Sequence, residues 1–293
     1  MAKLTDRSVL RLVQLALTED IGTGDLTSES LVDSSRLAHG VLRVKQPGVL
    51  CGTILAGMVF GEVDRDIVLE WAVEEGAWVE KGSIVAHVHG PARSLLTAER
   101  TALNFMQRMS GVATLTRAYV EEIAGTGATI LDTRKTIPAW RLLDKYSVKV
   151  GGGENHRMGL FDMVMIKDNH IAAHGSIGAA VAAVNRYFDL LGTDVVPIEV
   201  ETQSIEQVAE ALAAPGVTRI MFDNFSPEAM EGAVALVGGE RETEASGGIS
   251  LDSVRRFAET GVDFISVGAL THSATALDIS LDFESGSRPR NGS

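Results

Sequence analysis

The apolar residues of this chain keep a helical period, lose it, regain it, and then settle into a repeat. Residues 7–18 place Val9, Leu10, Leu12, Val13, Leu15 and Leu17 at helical spacing, which predicts a helix packed on one face. Gly22 and Gly24 in EDIGTGDLTSE mark the turn that follows. From Ala38 to His89, β-branched residues between Gly and Pro punctuation predict strands. Pro91 to Gly125 is helical again, as one long helix or two abutting ones. Leu96, Leu103, Met106, Met109, Val112 and Leu115 recur at three- and four-residue steps, opposite a polar stripe of Thr97, Arg100, Thr101, Asn104 and Arg108.

After Gly127 short apolar runs alternate with helical segments. The predicted strands are 129–131, 163–166, 195–200, 219–222, 243–245 and 263–267, and the predicted helices 139–146, 177–191, 205–213, 227–236 and 251–260. Repeated βα units imply a parallel sheet with right-handed crossovers. Six strands are too few for an eight-stranded barrel, so either an open sheet or a smaller barrel is required.

The strands end in chemistry. Asp132, Arg134 and Lys135 follow the first, Lys167 to His170 the second, Glu199 and Glu201 stand at the end of the third, and Asp223 and Asn224 follow the fourth. Ser246-Gly247-Gly248 and Gly268 follow the last two. In a parallel barrel these carboxyl ends share one rim, so residues remote in sequence converge on one mouth. The two glycine loops expose backbone N–H groups before expected helix starts, a setting that favours phosphate. Glu199 and Glu201, two apart on a strand, face the same side. With Asp223 they are candidates to hold Mg²⁺ or sugar hydroxyls, a salt bridge to Lys135 or Lys167 being the plainer reading.

Composition narrows the class. With 45% hydrophobic and 22% charged residues in 293, the chain is an ordinary globular protein of one large domain or two. Cys51 is the single cysteine, which excludes an internal disulfide and predicts a buried apolar side chain in a cytoplasmic protein. No signal peptide or membrane span is expected, because charges interrupt the first twenty residues and no later apolar run is long enough. His156, His170 and His272 lack metal-ligand spacing, so no zinc site is expected. A net charge of -13 argues against nucleic acid. Against that background residues 130–171 carry seven cations (Arg134, Lys135, Arg141, Lys145, Lys149, Arg157, Lys167) and five acids, which points to a small anionic ligand.

DTRKT, KVGGGENHR and IKDNHI, in this order, resemble quinolinate phosphoribosyltransferase, the decarboxylating enzyme that makes nicotinate mononucleotide for NAD biosynthesis. The resemblance extends through EDIGTGDLT, TAERTALNFMQRMSG, IEVE, MFDN, EASGGI and ISVGALTHS, and stops near Glu284. It implies an α/β fold of the type II phosphoribosyltransferase kind. An N-terminal α/β sandwich would cover 1–110, with 272–284 packed on it, followed by a six-stranded α/β barrel-like domain at 111–271 and a disordered tail at 285–293. Quinolinate and phosphoribosyl pyrophosphate are the implied substrates and Mg²⁺ the implied cofactor.

By the same resemblance, Arg134 and Arg157 grip the dicarboxylate, with Thr133 and His156 beside them, and Lys135 and Lys167 lie between it and the sugar phosphate. Glu201 and Asp223 hold ribose or Mg²⁺, so Lys135, Lys167, Glu201 and Asp223 form the catalytic set. Ser246, Gly247, Gly248, Val267, Gly268, Ala269 and His272 hold phosphate. Arg100, by its own pattern a member of a solvated helix face, is implied to reach a partner's site in a homodimer or higher oligomer. Three rival readings stand beside this one. A nicotinate phosphoribosyltransferase without decarboxylation would find Arg157 or Arg100 expendable, a Schiff-base aldolase would use Lys135 or Lys167 as nucleophile, and a binding barrel would turn nothing over.

Overall fold

The structure, a computed structural model, describes Leu4 and residues 7–284. The tail expected to be disordered, 285–293, lies outside them. The chain divides into two compact units, the first made of residues up to 115, 138–151 and 274 onward, the second of 116–137 and 152–273.

In the first unit an antiparallel sheet runs in the order Ile279–Phe283, Leu37–Val44, Ile84–Pro91, Val68–Trp71. The opening helix, Arg7–Ile21, buries Val9, Val13 and Leu17 and half-buries Leu10 and Leu12, whereas Leu15, expected on the same face, is exposed. The long helix is a single one, Ala92–Glu122. Two expectations are corrected here. Thr53–Val63, inside the stretch expected to be strands, is a helix. Its sequence is apolar on every side, so it carries no stripe to betray the period. What starts the helix is remote: the Glu75 carboxylate accepts the N–H groups of Gly52 and Thr53 at 2.8 and 3.0 Å.

Residues 139–146, expected as a barrel crossover, instead begin the helix Arg141–Gly151 of the first unit. There Trp140 stacks on Phe105 with ring centroids 5.1 Å apart, and Ala139 adopts a left-handed φ of 66°. Cys51 is buried in the same unit, where loss of solvent pushes its thiol well above its ordinary range.

The second unit is built on six parallel strands: β1 (Thr129–Leu131), β2 (Val164–Ile166), β3 (Ile198–Thr202), β4 (Val217–Asp223), β5 (Glu242–Ser246) and β6 (Phe264–Ser266). They follow the order β1-β6-β5-β4-β3-β2, so β1 and β2 are the two edges. Glu154 covers part of the β1 edge by donating its N–H to Ile130 and accepting that of Asp132, at 2.8 and 3.2 Å. The helices Ile177–Leu191, Ile205–Ala213 and Pro227–Val237 each start where a serine hydroxyl, of Ser176, Ser204 or Ser226, accepts a first-turn N–H. Register then layers the interior. Arg219 lies beside Glu199 and Glu242, Met221 beside Glu201 and Glu244, and Asp223 beside Ser246. Among the described residues no helix is long and apolar enough to cross a membrane.

Candidate active site

The carboxyl ends of the six strands enclose a cavity of about 220 Å³. Nine expected residues line it: Thr133, Arg134, Lys135, His156, Arg157, Lys167, Glu201, Asp223 and Ser246. Met165, Met221, Glu244 and Ser266 complete the wall, and sequence reading passed over these four. Glu244 was recoverable, since it stands two residues before Ser246 and strand alternation points both the same way.

Local hydrogen bonds explain how each side chain reaches the cavity. The Lys135 N–H donates to the Thr133 hydroxyl at 3.0 Å, and the Lys135 carbonyl accepts from Thr271 Oγ1 at 2.8 Å, tying the β1 loop to the one after β6. Gly268 belongs to that contact: a Cβ there would stand 2.9 Å from Lys135 Cδ and 3.3 Å from His272 Nε2. His156 is placed by its N–H to buried Asp132 at 2.9 Å. Arg157 donates to the Met163 carbonyl at 3.1 Å, so its guanidinium is laid along β2. Lys167 pairs with Glu201 across adjacent strands.

The mouth is positive. Burial, and after it the like charge of Arg134, lowers the pKa of Arg157, so a partly desolvated cation stands beside another cation. Such crowding is relieved by an anionic ligand.

Around His156 the charges pair among themselves. His156 Nε2 lies 2.9 Å from Glu199 and 3.4 Å from Glu244, and Arg219 reaches Glu244 at 3.0 Å and Glu242 at 2.8 Å. Glu199 and Glu244 are fully buried. Burial by itself would lower the imidazole pKa, but the two carboxylates outweigh it and push it up to about 9. The Arg157 N–H, 2.7 Å from Nδ1, opposes the charged ring; one peptide dipole is weaker than two buried carboxylates, so the upward direction stands. Glu199 was expected with Glu201 and Asp223 as a holder of Mg²⁺ or sugar; it turns to His156 instead and does not line the cavity. His156, Glu199 and Glu244 offer three ligand atoms within 4.8 Å of one another. A cation there would stand against the Arg219 guanidinium that already holds Glu244, so the cluster is an ion-pair network.

The remaining expected residues lie around the rim or away from it. Gly247 has φ 97° and Gly248 φ 61°, conformations glycine supplies at little cost, between β5 and the helix Leu251–Ala258. Val267 is buried and donates its N–H to Leu131 at 3.0 Å. Gly268 and Ala269 open the short helix Ala269–His272, where His272 Nδ1 meets the Ser273 hydroxyl at 2.6 Å. Arg100 is exposed on the long helix of the first unit and does not line this cavity.

Comparison with known proteins agrees with this arrangement. Residues 25–110 match the N-terminal domain, and 112–282 the C-terminal domain, of quinolinate phosphoribosyl transferase. A quinolinate phosphoribosyltransferase [decarboxylating] of Nicotiana tabacum is 46% identical over 288 residues, covering 93% of this chain and 81% of the relative. A probable nicotinate-nucleotide pyrophosphorylase [carboxylating] of Bacillus subtilis is 43% identical, covering 93% and 92%. The solved structure of NadC from Streptococcus pyogenes superposes with a TM-score of 0.91 at 40% identity, over 96% of this chain and 98% of that one. Two domain matches spanning nearly the whole chain, and relatives this similar, leave one conclusion: the chain belongs to the quinolinate phosphoribosyltransferase family.

Proposed function

We propose that this protein transfers the phosphoribosyl group of phosphoribosyl pyrophosphate to quinolinate and removes the 2-carboxylate, giving nicotinate mononucleotide, diphosphate and CO₂ for NAD biosynthesis. The observation that carries the reading is the convergence of Arg134, Lys135, Arg157 and Lys167 with Glu201 and Asp223 in one cavity. Quinolinate brings two carboxylates and the co-substrate a phosphate and a diphosphate, the load such a mouth suits. A nicotinate-specific relative would need fewer cations, and a Schiff-base enzyme would keep its lysine clear of Glu201.

The chemistry requires no protein nucleophile. The C1–O bond to diphosphate breaks, the pyridine nitrogen attacks the oxocarbenium-like C1, and the ring becomes cationic. The bond from C2 to its carboxylate then breaks, the ring accepts the electron pair, and C2 takes a proton as CO₂ leaves. In this reading Arg134 and Arg157 clamp the dicarboxylate, with Thr133 and His156 orienting it. Lys135 and Lys167 stand between the two substrates. Glu201 and Asp223 stabilise positive charge at C1, and for this Lys167 must share Glu201 with the ribose. Ser246, Gly247, Gly248, Val267, Gly268, Ala269 and His272 hold phosphate. Glu201 and Asp223 are the hard oxygen donors that Mg²⁺ takes, and bound with the diphosphate it would neutralise the leaving group. Catalysis is then positioning and electrostatics.

The protein incubated with phosphoribosyl pyrophosphate and Mg²⁺ should form mononucleotide and CO₂ in equal yield from quinolinate, and neither from nicotinate or nicotinamide. Turnover of nicotinate without CO₂, or borohydride trapping of a substrate, would overturn the reading. We extend it to a homodimer in which exposed Arg100 completes the partner's site. Mixing Arg100→Ala with Lys135→Ala subunits should then recover activity that neither has alone; inactive mixed dimers of verified composition would count against sharing.

A further inference from the structure

The fourth strand ends in MFDN, of which the reaction as described uses only Asp223. Asn224 is one of two non-glycine residues among those described with a positive φ, at 59°. Bulky residues avoid this conformation and asparagine tolerates it. The turn is anchored on both sides. Phe222 and Phe225 are buried with ring centroids 5.5 Å apart, the Asn224 N–H donates to the Ser246 carbonyl at 2.9 Å, and Ser226 caps the next helix.

The side chain makes two further contacts. Asn224 Nδ2 donates to Asp223 Oδ2 at 2.8 Å. The same amide fills the space above Gly247, where a Cβ would stand 2.7 Å from Asn224 Cγ and 2.9 Å from Asn224 N. One residue therefore touches both the carboxylate at the end of β4 and the glycine turn at the end of β5. A left-handed backbone alone asks for no contact with two neighbouring strand ends, yet this amide makes both.

We infer that Asn224 is a positioning residue for the sugar-phosphate half of the site: its amide orients the Asp223 carboxylate and sets the Gly247 turn against it. The inference rests on the proposed reaction, in which Asp223 meets ribose or Mg²⁺ and the Gly247 loop meets phosphate. It separates the two substrates, because the Asn224 contacts reach no cation assigned to the pyridine dicarboxylate.

Two variants test it in the full-length protein. Asn224→Gly keeps the left-handed turn and the clearance at Gly247 but deletes the amide. Asn224→Asp keeps the size and turn preference but sets a second carboxylate against Asp223. Steady-state kinetics should show the KM for phosphoribosyl pyrophosphate raised about tenfold in Asn224→Gly and further in Asn224→Asp, with the KM for quinolinate within about twofold of wild type. The unfolding temperature of Asn224→Gly should fall by only a few degrees, the cost of ordering a glycine and losing one exposed hydrogen bond. An Asn224→Gly enzyme with an unchanged KM for phosphoribosyl pyrophosphate would overturn the inference and leave a conformational role. Equal increases in both KM values would also overturn it. Should Asn224→Gly not fold, Asn224→Asp decides on the same ratio. Wild type inactive with quinolinate is a separate outcome, which removes the proposed reaction rather than the role of one residue within it.

Discussion

Glu199 and Glu201 stand two residues apart on β3 and point to the same side, yet only Glu201 lines the cavity. Glu201 pairs at the mouth with Lys167, whose side chain is 42% exposed. Glu199, one layer down, is fully buried against His156. A charge pair at the mouth loses little when it opens, because water or substrate replaces the partner. A buried pair has no substitute, and breaking it leaves an uncompensated charge in low dielectric. Burial thus divides charges open to solvent from charges committed to one another, and four substitutions set out to break that division.

The largest effect is expected at the mouth. Lys135→Ala or Arg134→Ala should lower turnover at least about a hundredfold, roughly 3 kcal/mol of transition-state stabilisation, with the unfolding temperature unchanged. The loop tie through the Lys135 carbonyl and Thr271 survives truncation of the side chain, which is why stability should hold. Near-normal turnover in either variant would remove that residue from the site.

That mouth was legible in the sequence because its signals are local: an apolar run, a strand end, a polar motif. β1 was placed at 129–131 as observed, and the helices at 177–191 and 205–213 likewise. Illegible features were those fixed by partners remote in the chain. The helix Thr53–Val63 is capped by Glu75, and the helix from Arg141 joins the first unit, where Trp140 meets Phe105. The fate of Glu199 depends on His156, Glu244 and Arg219, which come from three other segments. Period-two alternation gives the side of a strand and not the depth, so it grouped Glu199 with Glu201.

The deeper layer should reveal itself through pH. His156 has a folded pKa raised from 6.5 to about 9. A raised pKa contributes stability that is fully present below about 6.5 and is lost as pH rises through about 9, here up to about 3 kcal/mol. Denaturant unfolding at pH 6, 7.5 and 9 should show that loss in wild type and a shallower one in Glu199→Gln, which removes the nearer carboxylate. Parallel profiles would mean that His156 does not draw its charge from Glu199.

The smallest effect tests whether depth, rather than the number of contacts, is the divider. Arg219 reaches Glu242 through Nε and Nη2 at 3.0 and 2.8 Å, more contacts than the single one at 3.0 Å to Glu244. Counting contacts would rank Glu242 first. Yet the Glu242 side chain is 54% exposed and Glu244 is fully buried. With Glu242 gone, Arg219 keeps Glu244 and the face of Phe264, 4.0 Å from its guanidinium carbon. Glu242→Gln should therefore cost no more than about 1 kcal/mol in denaturant unfolding and leave turnover untouched. A loss of about 3 kcal/mol would place exposed Glu242 among the committed charges, and the boundary drawn between Glu199 and Glu201 would no longer follow exposure.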